Sequence, residues 1–188
     1  MSLTLYFATS NSDKVREAQA ILGLPIQQIS MDIPEIQSLD VEEVVRVKAL
    51  AAYNQTGKMT MVEDTGLYLD AWNGLPGAFI RWFLKTVKND GICRMLASEV
   101  NRKATAKTSV AFFDGSSHHV FSGEVHGTVP LVPVGDSGFG WDSIFQPDEC
   151  GKTFAQMTDE AKNQISMRRI ALEKLRQYLT SASLWRRV

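Results

Sequence analysis

The spacing of apolar residues predicts that the chain begins with a strand and continues into a helix. Apolar side chains first fall on alternate positions, as in a strand, and then recur every three or four positions, as in a helix. The strand positions are Leu3, Leu5 and Phe7, and the helix positions are Val15, Ala18, Ile21 and Leu22. A second strand is predicted at 26–29, and a polar connection containing Pro34 follows at 32–39.

The next stretch predicts a helix with defined ends. Asp40 is typical of an N-cap, with Glu43 as its capping-box partner, and Gly57 is suited to end the helix. The apolar residues between them recur with helical spacing and predict one buried face. They are Val41, Val44, Val45, Ala49 and Ala52.

The remaining pattern mixes strands and helices and predicts an α/β fold. A strand over 59–62 is predicted to end at the run Glu63-Asp64-Thr65-Gly66, which forms a loop, as does the glycine-rich segment 73–77. The other predicted elements are helices at 79–88, 91–100 and 158–179 (capped by Thr158), hairpin strands at 105–113 and 119–129 around the turn 114–117, a loop at 135–142 and a strand at 143–145.

Composition narrows the class of protein. The 188 residues are 44% apolar, so we expect one substantial core in a single domain over 1–180, with a tail at 181–188. Lys and Arg number 20 against 21 Asp and Glu, so the chain lacks the basic field that drives non-specific nucleic-acid binding. The two cysteines lack metal-ligand spacing and the N-terminus lacks a signal sequence, which predicts a cytoplasmic protein. No apolar run reaches the roughly 18 residues of a spanning helix, so we expect that the chain does not cross a membrane.

The junction between the first strand and helix is a candidate anion site. Unpaired N–H groups and the positive end of the helix dipole converge there, and short donors and a cation suited to phosphate lie beside them. An ordinary N-cap explains the same residues when they are taken alone. The chain has no P-loop or dinucleotide-binding glycine motif, which disfavours a kinase or a Rossmann dehydrogenase. The junction residues are Thr9, Ser10, Asn11, Ser12, Asp13 and Lys14.

Acidic residues provide a candidate metal site. Glu63 and Asp64 follow a predicted strand directly, so at least one carboxylate is held on a rigid element. Magnesium prefers such oxygen ligands and usually bridges substrate phosphates, so a few carboxylates suffice. Glu35, in the polar connection, is a second candidate ligand. Taken separately, these acids are also typical of solvated surface.

Aromatic and basic residues near the C-terminus suggest a pocket for a flat ring. Phe139 and Trp141 lie in a glycine-containing loop with Asp142, and aromatic faces stack on nucleobases, although both rings also suit a core. Arg168 falls in the apolar stripe of the last predicted helix and is expected to face inward. Its guanidinium either binds a ligand, forms an intramolecular salt bridge or extends to water. Lys162 either reaches the same pocket or lies exposed.

Together, five motifs resemble the inosine triphosphate pyrophosphatase family in their order and spacing. The resemblance extends over nearly the whole chain, from about residue 3 to residue 179. The motifs are Thr9-Ser-Asn-Ser-Asp-Lys14, Glu63-Asp-Thr-Gly-Leu67, Gly74-Leu-Pro-Gly77, Phe139-Gly-Trp-Asp142 and Lys162-Asn-Gln-Ile-Ser-Met-Arg168.

The resemblance implies an elongated mixed sheet with flanking helices, in two lobes around a central nucleotide-binding cleft. It also implies a homodimer that uses Mg²⁺ to convert ITP, dITP and XTP to monophosphate and pyrophosphate. By the same resemblance, the segment Thr9–Lys14 holds the triphosphate, Lys14 and Asp64 are catalytic, and Glu35 and Asp64 bind magnesium. Asp64 orients or deprotonates the attacking water.

The remaining roles follow from the same resemblance. Contacts to phosphate or metal come from Lys48, Thr65 and Arg81, and the purine side is formed by Phe139, Gly140, Trp141, Asp142, Lys162, Met167 and Arg168. The family usually has Ser-His-Arg where this chain has Ser166-Met167-Arg168, and a thioether cannot donate a hydrogen bond. We therefore expect weaker or altered base discrimination with hydrolysis retained. Two alternatives are a Maf-like pyrophosphatase for modified pyrimidine nucleotides and a nucleotide sensor without turnover.

Overall fold

A mixed sheet forms the centre of the molecule in the computed structural model, which describes residues 5–31, 33–148 and 150–182. Seven strands and six α-helices lie within these ranges. The strands are β1 (Leu5–Ala8), β2 (Ile26–Ile29), β3 (Thr60–Leu69), β4 (Pro76–Gly77), β5 (Lys103–Phe113), β6 (His118–Thr128) and β7 (Gln146–Pro147). The helices are α1 (Ser12–Leu22), α2 (Val41–Thr56), α3 (Ile80–Thr86), α4 (Lys88–Met95), α5 (Asp159–Ile165) and α6 (Met167–Ser181).

Strand β3 joins the parallel and antiparallel parts of the sheet. The strand order is β2-β1-β3-β5-β6-β7, with β4 paired to β3 outside this path. β1 is parallel to both β2 and β3, whereas β3, β5 and β6 form an antiparallel meander. Because β1 is short and β3 is long, only the first part of β3 pairs with β1. The remainder extends beyond it, which gives the sheet its elongated form.

Alternation along β3 directs neighbouring side chains to opposite faces of the sheet. Met61 packs into a buried cluster with α1 and α6, and Val62 packs into a cluster with α2. A third cluster, around the far part of β3 and helices α3 and α4, forms the core of a second lobe. The predicted α/β fold with flanking helices is therefore confirmed.

The first helices are capped mainly as the sequence predicts. Asn11 caps α1, and Asp40 caps α2 by accepting a hydrogen bond from the N–H of Glu42. The capping-box role predicted for Glu43 is wrong, because its carboxylate accepts from the Ser38 hydroxyl at 2.7 Å. Three parts of these predictions lie outside the described residues, namely Leu3, Asp32 and residues 183–188 of the tail. Helix α6 continues to Ser181, one residue past the predicted end of the domain.

The prediction that a strand ends before Glu63 is wrong. β3 continues through Glu63, Asp64 and Thr65 to Leu69, because these residues pair with β5 from Val110 to Thr108 and onward. Part of the glycine-rich segment is also regular, since β4 pairs with β3 there. The acids therefore lie in the middle of a strand, paired with β5, and not in a loop.

Two further predictions near the C-terminus are corrected. The helix predicted over 158–179 is two helices, because Ser166 has an extended backbone and caps α6 with its side chain. The strand predicted at 143–145 is instead the short 3₁₀-helix Asp142–Ile144. The 114–117 turn joins β5 and β6 as the predicted hairpin. Helices α3 and α4 lie where two helices are predicted, but the predicted bounds are wrong, since α3 ends at Thr86 and α4 runs from Lys88 to Met95. Among the described residues, no helix is both long and apolar enough to cross a bilayer.

Candidate active site

A cavity of about 950 Å³ lies between the two lobes, and nearly all of the predicted site residues line it. The exception is Asp13, which lies outside this wall and pairs with Arg16 at 2.7 Å. The predicted residues in the wall are Thr9, Ser10, Asn11, Ser12, Lys14, Glu35, Lys48, Asp64, Thr65, Arg81, Phe139, Gly140, Trp141, Asp142, Lys162, Met167 and Arg168. Segments far apart in sequence therefore meet at one site.

The β1–α1 junction forms one end of the cavity. The Asn11 side chain accepts hydrogen bonds from the N–H groups of Asp13 at 2.9 Å and Lys14 at 3.4 Å, so the ordinary N-cap is present. Thr9 supports the turn by accepting from the N–H of Asn11 at 3.1 Å. Ser10 and Ser12 are exposed beside this cap, and Lys14 lies near the floor of the cavity. The junction thus directs donors and one cation toward a shared space, which suits an anionic ligand.

Glu63 lines the cavity and binds two cationic side chains. It is fully buried, and its two carboxylate oxygens accept from Nε and Nη2 of Arg168 at 2.9 Å each. Lys14 Nζ approaches the same carboxylate at 3.2 Å. Burial by itself would raise the pKa of Glu63, but the charges of Arg168 and Lys14 lower the pKa to about 2. The carboxylate is therefore ionised and holds two cations in place.

Asp64 points to the opposite face of β3, toward α2. Burial raises the pKa of this carboxyl, and the charges of Lys48 and Lys14 offset only part of the rise. Lys48 also forms an ion pair with Glu35 at 2.8 Å. Burial by itself would raise the pKa of Glu35, but the contact with Lys48 and the charges of Arg81 and Lys14 lower the pKa below its usual value. The two carboxyls therefore differ, since the pKa of Asp64 is raised and that of Glu35 is lowered.

Lys162 is buried, so the alternative of an exposed lysine is wrong. Its ammonium donates to Glu17 at 2.9 Å and to Asp142 at 2.6 Å. It also lies 4.6 Å from the centre of the Phe139 ring. Burial raises the pKa of Asp142, and the adjacent Lys162 charge opposes that rise. Lys162 therefore ties the aromatic loop to α1.

The two aromatic rings of this loop differ in their surroundings. Trp141 is buried at 6% exposure and meets Phe145 edge-on with centroids 5.6 Å apart, which is the core packing that the sequence left open. Phe139 is half-buried over Lys162, and its N–H donates to Asp142 at 2.8 Å. The Phe139 ring is thus the more accessible of the two faces beside the cavity.

Arg168 faces inward as predicted, and its intramolecular acceptors are carboxylates. In addition to Glu63, it donates through Nη1 to Glu17. A guanidinium carries five N–H groups, so the three donations to Glu63 and Glu17 leave two for a ligand.

Glu17 forms ion pairs with two of the site cations, although none of the sequence motifs includes it. It is 2% exposed and joins Arg168 to Lys162, from which it is separated by 151 and 145 positions in sequence. The sequence contains one indication of this role, because Glu17 lies next to Ala18 on the buried face of α1. Such a charge is rarely buried without a partner, so its position calls for a cation on the facing element.

Sequence comparison relates the chain to nucleotide pyrophosphatases. A model described as the Ham1 family matches residues 5–178. An inosine triphosphate pyrophosphatase from Kluyveromyces lactis is 40% identical over 190 residues, covering 96% of this chain and 97% of that protein. A dITP/XTP pyrophosphatase from Thermococcus kodakarensis is 38% identical, covering 94% of this chain and 97% of that protein.

Comparison of structures points the same way. A HAM1 protein from Coxiella burnetii superposes with a TM-score of 0.83 at 29% identity, covering 95% of this chain and 99% of that one. The Staphylococcus aureus Ham1 protein has a TM-score of 0.81 at 26% identity, covering 96% and 100%. The structural similarity therefore extends over nearly the whole chain.

Proposed function

This chain belongs to the Ham1 family, and from that premise we propose that it hydrolyses non-standard purine nucleoside triphosphates, such as ITP, dITP and XTP, to the monophosphate and pyrophosphate. One observation carries the proposal: an anion-binding helix start, two carboxylates and an aromatic loop line a single cavity of about 950 Å³. Each feature suits a different part of a nucleoside triphosphate. Their convergence favours a ligand that needs all three.

The proposed reaction is a displacement at the α-phosphorus. A bond forms between a water oxygen and that phosphorus, while the bond to the oxygen bridging the α- and β-phosphates breaks. Asp64, which lines the cavity, orients the attacking water and accepts its proton. Lys14 and Lys48 neutralise charge that develops on the phosphate oxygens, and pyrophosphate leaves without a covalent enzyme intermediate.

We propose magnesium as the cofactor, held by Glu35 and Asp64. Both carboxylates line the cavity, and their charges influence each other, since Glu35 is among the groups that raise the pKa of Asp64. Across residues 5–31, 33–148 and 150–182, no cluster of three or more potential metal-ligating His, Cys, Asp or Glu side chains is present. Two carboxylates fit Mg²⁺, which takes its other ligands from water and substrate phosphates. When bound, it would supply positive charge beside the phosphate oxygens.

Arg168 is the proposed determinant of base selection. Its remaining N–H donors suit the keto oxygen of hypoxanthine or xanthine, and an adenine amino group would present a donor to a donor. Carboxylates on the opposite side of the guanidinium fix its plane, so it cannot readily turn to accommodate adenine. ATP is therefore expected to be a poor substrate.

We also propose that the active protein is a cytoplasmic homodimer, as the family resemblance implies. Light scattering on the purified protein distinguishes one chain of 20.9 kDa from a pair. A monomer with full activity would reject the dimer proposal without affecting the proposed reaction.

The decisive experiment is release of pyrophosphate from ITP, XTP, dITP, GTP, ATP and dTTP, with and without magnesium. The wild type is compared with Asp64→Asn and with the control Asp70→Asn, which changes an exposed aspartate just beyond β3. We expect magnesium-dependent turnover of ITP or XTP that Asp64→Asn abolishes and Asp70→Asn leaves unchanged.

Other outcomes favour the alternatives. Preference for dTTP would move the protein to the Maf-like class of pyrimidine pyrophosphatases. Nucleotide binding without pyrophosphate release from any substrate would favour the sensor. Both results would contradict the proposed activity.

A further inference from the structure

Helix α3 presents two unlike faces. Ile80, Phe83 and Leu84 pack against the core of the second lobe, which anchors the helix. Trp82 and Lys85 are exposed instead, and both line the cavity between the lobes. Their position is therefore set by the packed face of the helix, and their side chains have no part in that packing.

Trp82 is unusual because it is a large aromatic residue that remains 61% exposed at the cavity. The ammonium of Lys85 lies 5.1 Å from the centre of its ring, a cation–π distance. An indole beside a lysine presents both an apolar surface and a positive charge to the same space. That combination suits a ligand with an apolar ring or sugar next to anionic groups.

The course of α3 shows which part of a nucleotide this surface would meet. At its start, Arg81 lies near enough to Glu35 to influence it electrostatically. Toward its end, Leu84 Cδ1 lies 3.9 Å from the position that a Cβ on Gly140 would occupy. α4 is attached to the same loop, since Asn89 donates to the carbonyl of Gly140 at 2.9 Å. α3 thus runs from the proposed metal-binding end to the aromatic loop.

We propose that Trp82 and Lys85 form a second wall of the nucleotide site, in addition to the β1–α1 junction that lines the same cavity. This inference rests on the proposed function. The Lys85 ammonium lies beside the Trp82 ring, nearer the start of α3 than Lys85 itself, and there it pairs with a non-bridging oxygen of the polyphosphate. The Trp82 indole covers the ribose. Neither residue takes part in proton transfer, so they act in substrate binding.

The contributions of the two residues differ in chemistry and can be separated. A charge contact with the polyphosphate should affect pyrophosphate as much as ITP, because both carry the linked phosphates. An indole over the ribose should affect ITP and leave pyrophosphate largely unchanged. Screening by salt should weaken only the lysine contact.

The test uses the full chain with Lys85→Gln, Trp82→Ala and Trp82→Phe. The control Lys152→Gln removes an exposed lysine that lies outside the cavity wall, and Leu131→Ala removes an apolar side chain that is 74% exposed. The measurements are kcat and KM for ITP, inhibition by pyrophosphate, and the dependence of KM on salt. Direct calorimetric titration with pyrophosphate gives affinity without turnover.

We expect Lys85→Gln to raise KM for ITP and the dissociation constant of pyrophosphate by about tenfold, the size of one charge-assisted contact, with kcat within about twofold. Its KM should depend less on salt than that of the wild type. Trp82→Ala should raise KM for ITP several-fold with little change for pyrophosphate, and Trp82→Phe should retain most of the affinity. Retained kcat shows that the variants fold.

If wild type hydrolyses ITP while the α3 variants match their controls, the inference is wrong and the proposed function stands. If wild type does not hydrolyse ITP, the proposed function fails by itself. The pyrophosphate titration then still tests Lys85, because equal affinity in wild type and Lys85→Gln would overturn its role.

Discussion

Glu63 and Arg168 form a bidentate ion pair in the protein interior, in which each carboxylate oxygen accepts a hydrogen bond from the guanidinium at 2.9 Å. One partner comes from the middle of β3 and the other from the first turn of α6. Since both side chains are almost fully buried, removing one leaves the other charged without its partner in a poorly solvated environment.

Glu63→Gln should therefore lower the free energy of unfolding by about 3 kcal/mol, because it removes the buried counter-charge of Lys14 and leaves Arg168 with Glu17 alone. Urea denaturation monitored by circular dichroism measures the change. Glu173→Gln is the matched control: Glu173 pairs with Arg169 at 2.7 Å, but both side chains are about one-third exposed. The control should change stability by less than about 1 kcal/mol. Equal effects of the two substitutions would contradict the argument.

Stability should also depend on pH through Glu63. Its pKa is lowered to about 2 in the folded protein from about 4.5 in the unfolded chain, so the unfolded chain binds the proton more tightly. The contribution is present above about pH 4.5 and is lost as pH falls toward 2, and it amounts to about 3 kcal/mol.

Denaturation of metal-free protein between pH 6 and pH 2 checks this dependence. The difference in stability between wild type and Glu63→Gln should shrink as the pH falls through that window. Asp64 and Asp142 titrate in both proteins, so their effects largely cancel in the difference. A difference that stays constant with pH would show that Glu63 is not the group responsible.

Gly123→Ala should destabilise the junction between β6 and α6. A Cβ at this position would meet the Met167 carbonyl, lie 2.7 Å from Ile170 Cβ and 2.8 Å from the Ala171 nitrogen. Because these neighbours are mainly backbone, α6 must move, at a cost of about 2 kcal/mol. Thermal unfolding and KM for ITP report the shift in stability and at the site.

Gly151→Ala serves as the comparison for that substitution. Gly151 has a positive φ of 64°, but no atom lies within 4 Å of the position that a Cβ would occupy, so only backbone strain of about 1 kcal/mol is expected. KM for ITP should be unchanged in Gly151→Ala and raised in Gly123→Ala. An unaltered KM in Gly123→Ala would mean that Arg168 does not follow the position of α6.

Met167→His should sharpen discrimination among bases. Met167 is 2% exposed and lines the cavity beside Arg168, where an imidazole would add a hydrogen-bond donor that the thioether lacks. We expect the ratio of kcat/KM for ITP over ATP to rise by about tenfold. Met167→Leu, which conserves the apolar character, should leave that ratio unchanged. If Met167→His also leaves the ITP-to-ATP and ITP-to-GTP ratios unchanged, position 167 does not select the base.

Local patterns predicted the elements whose stability is mostly local. The stripe ending at Gly57 predicted α2, and the polar turn at 114–117 predicted the β5–β6 hairpin. The same logic failed at Glu63, because adjacent acids suggest a solvated loop and only the distant Arg168 makes a buried strand position favourable there. Ser166 was missed because helical spacing continues on both sides of it.

The candidate site was predictable to the extent that its residues form local motifs. Lys14, Asp64 and Arg168 were each suggested by their position relative to an element, and all three line the cavity. Glu17 was not identified, because its role depends on cations far away in sequence. Trp82 was also missed, since a single aromatic residue in a helical segment is typical of a core.

The passage of β3 through the site makes the chain sensitive to the number of residues in the strand as well as to their identity. Glu63 faces Arg168 while Asp64 faces the Lys48 side, because successive residues of a strand project to opposite faces. Deleting one residue earlier in β3 would place Asp64 where Glu63 now faces the guanidinium and Thr65 where Asp64 now lies. The guanidinium would then face a shorter acid, and the water would lose its base. A substitution changes one side chain of this site, whereas a single insertion or deletion in β3 would move the following side chains to the opposite face of the sheet.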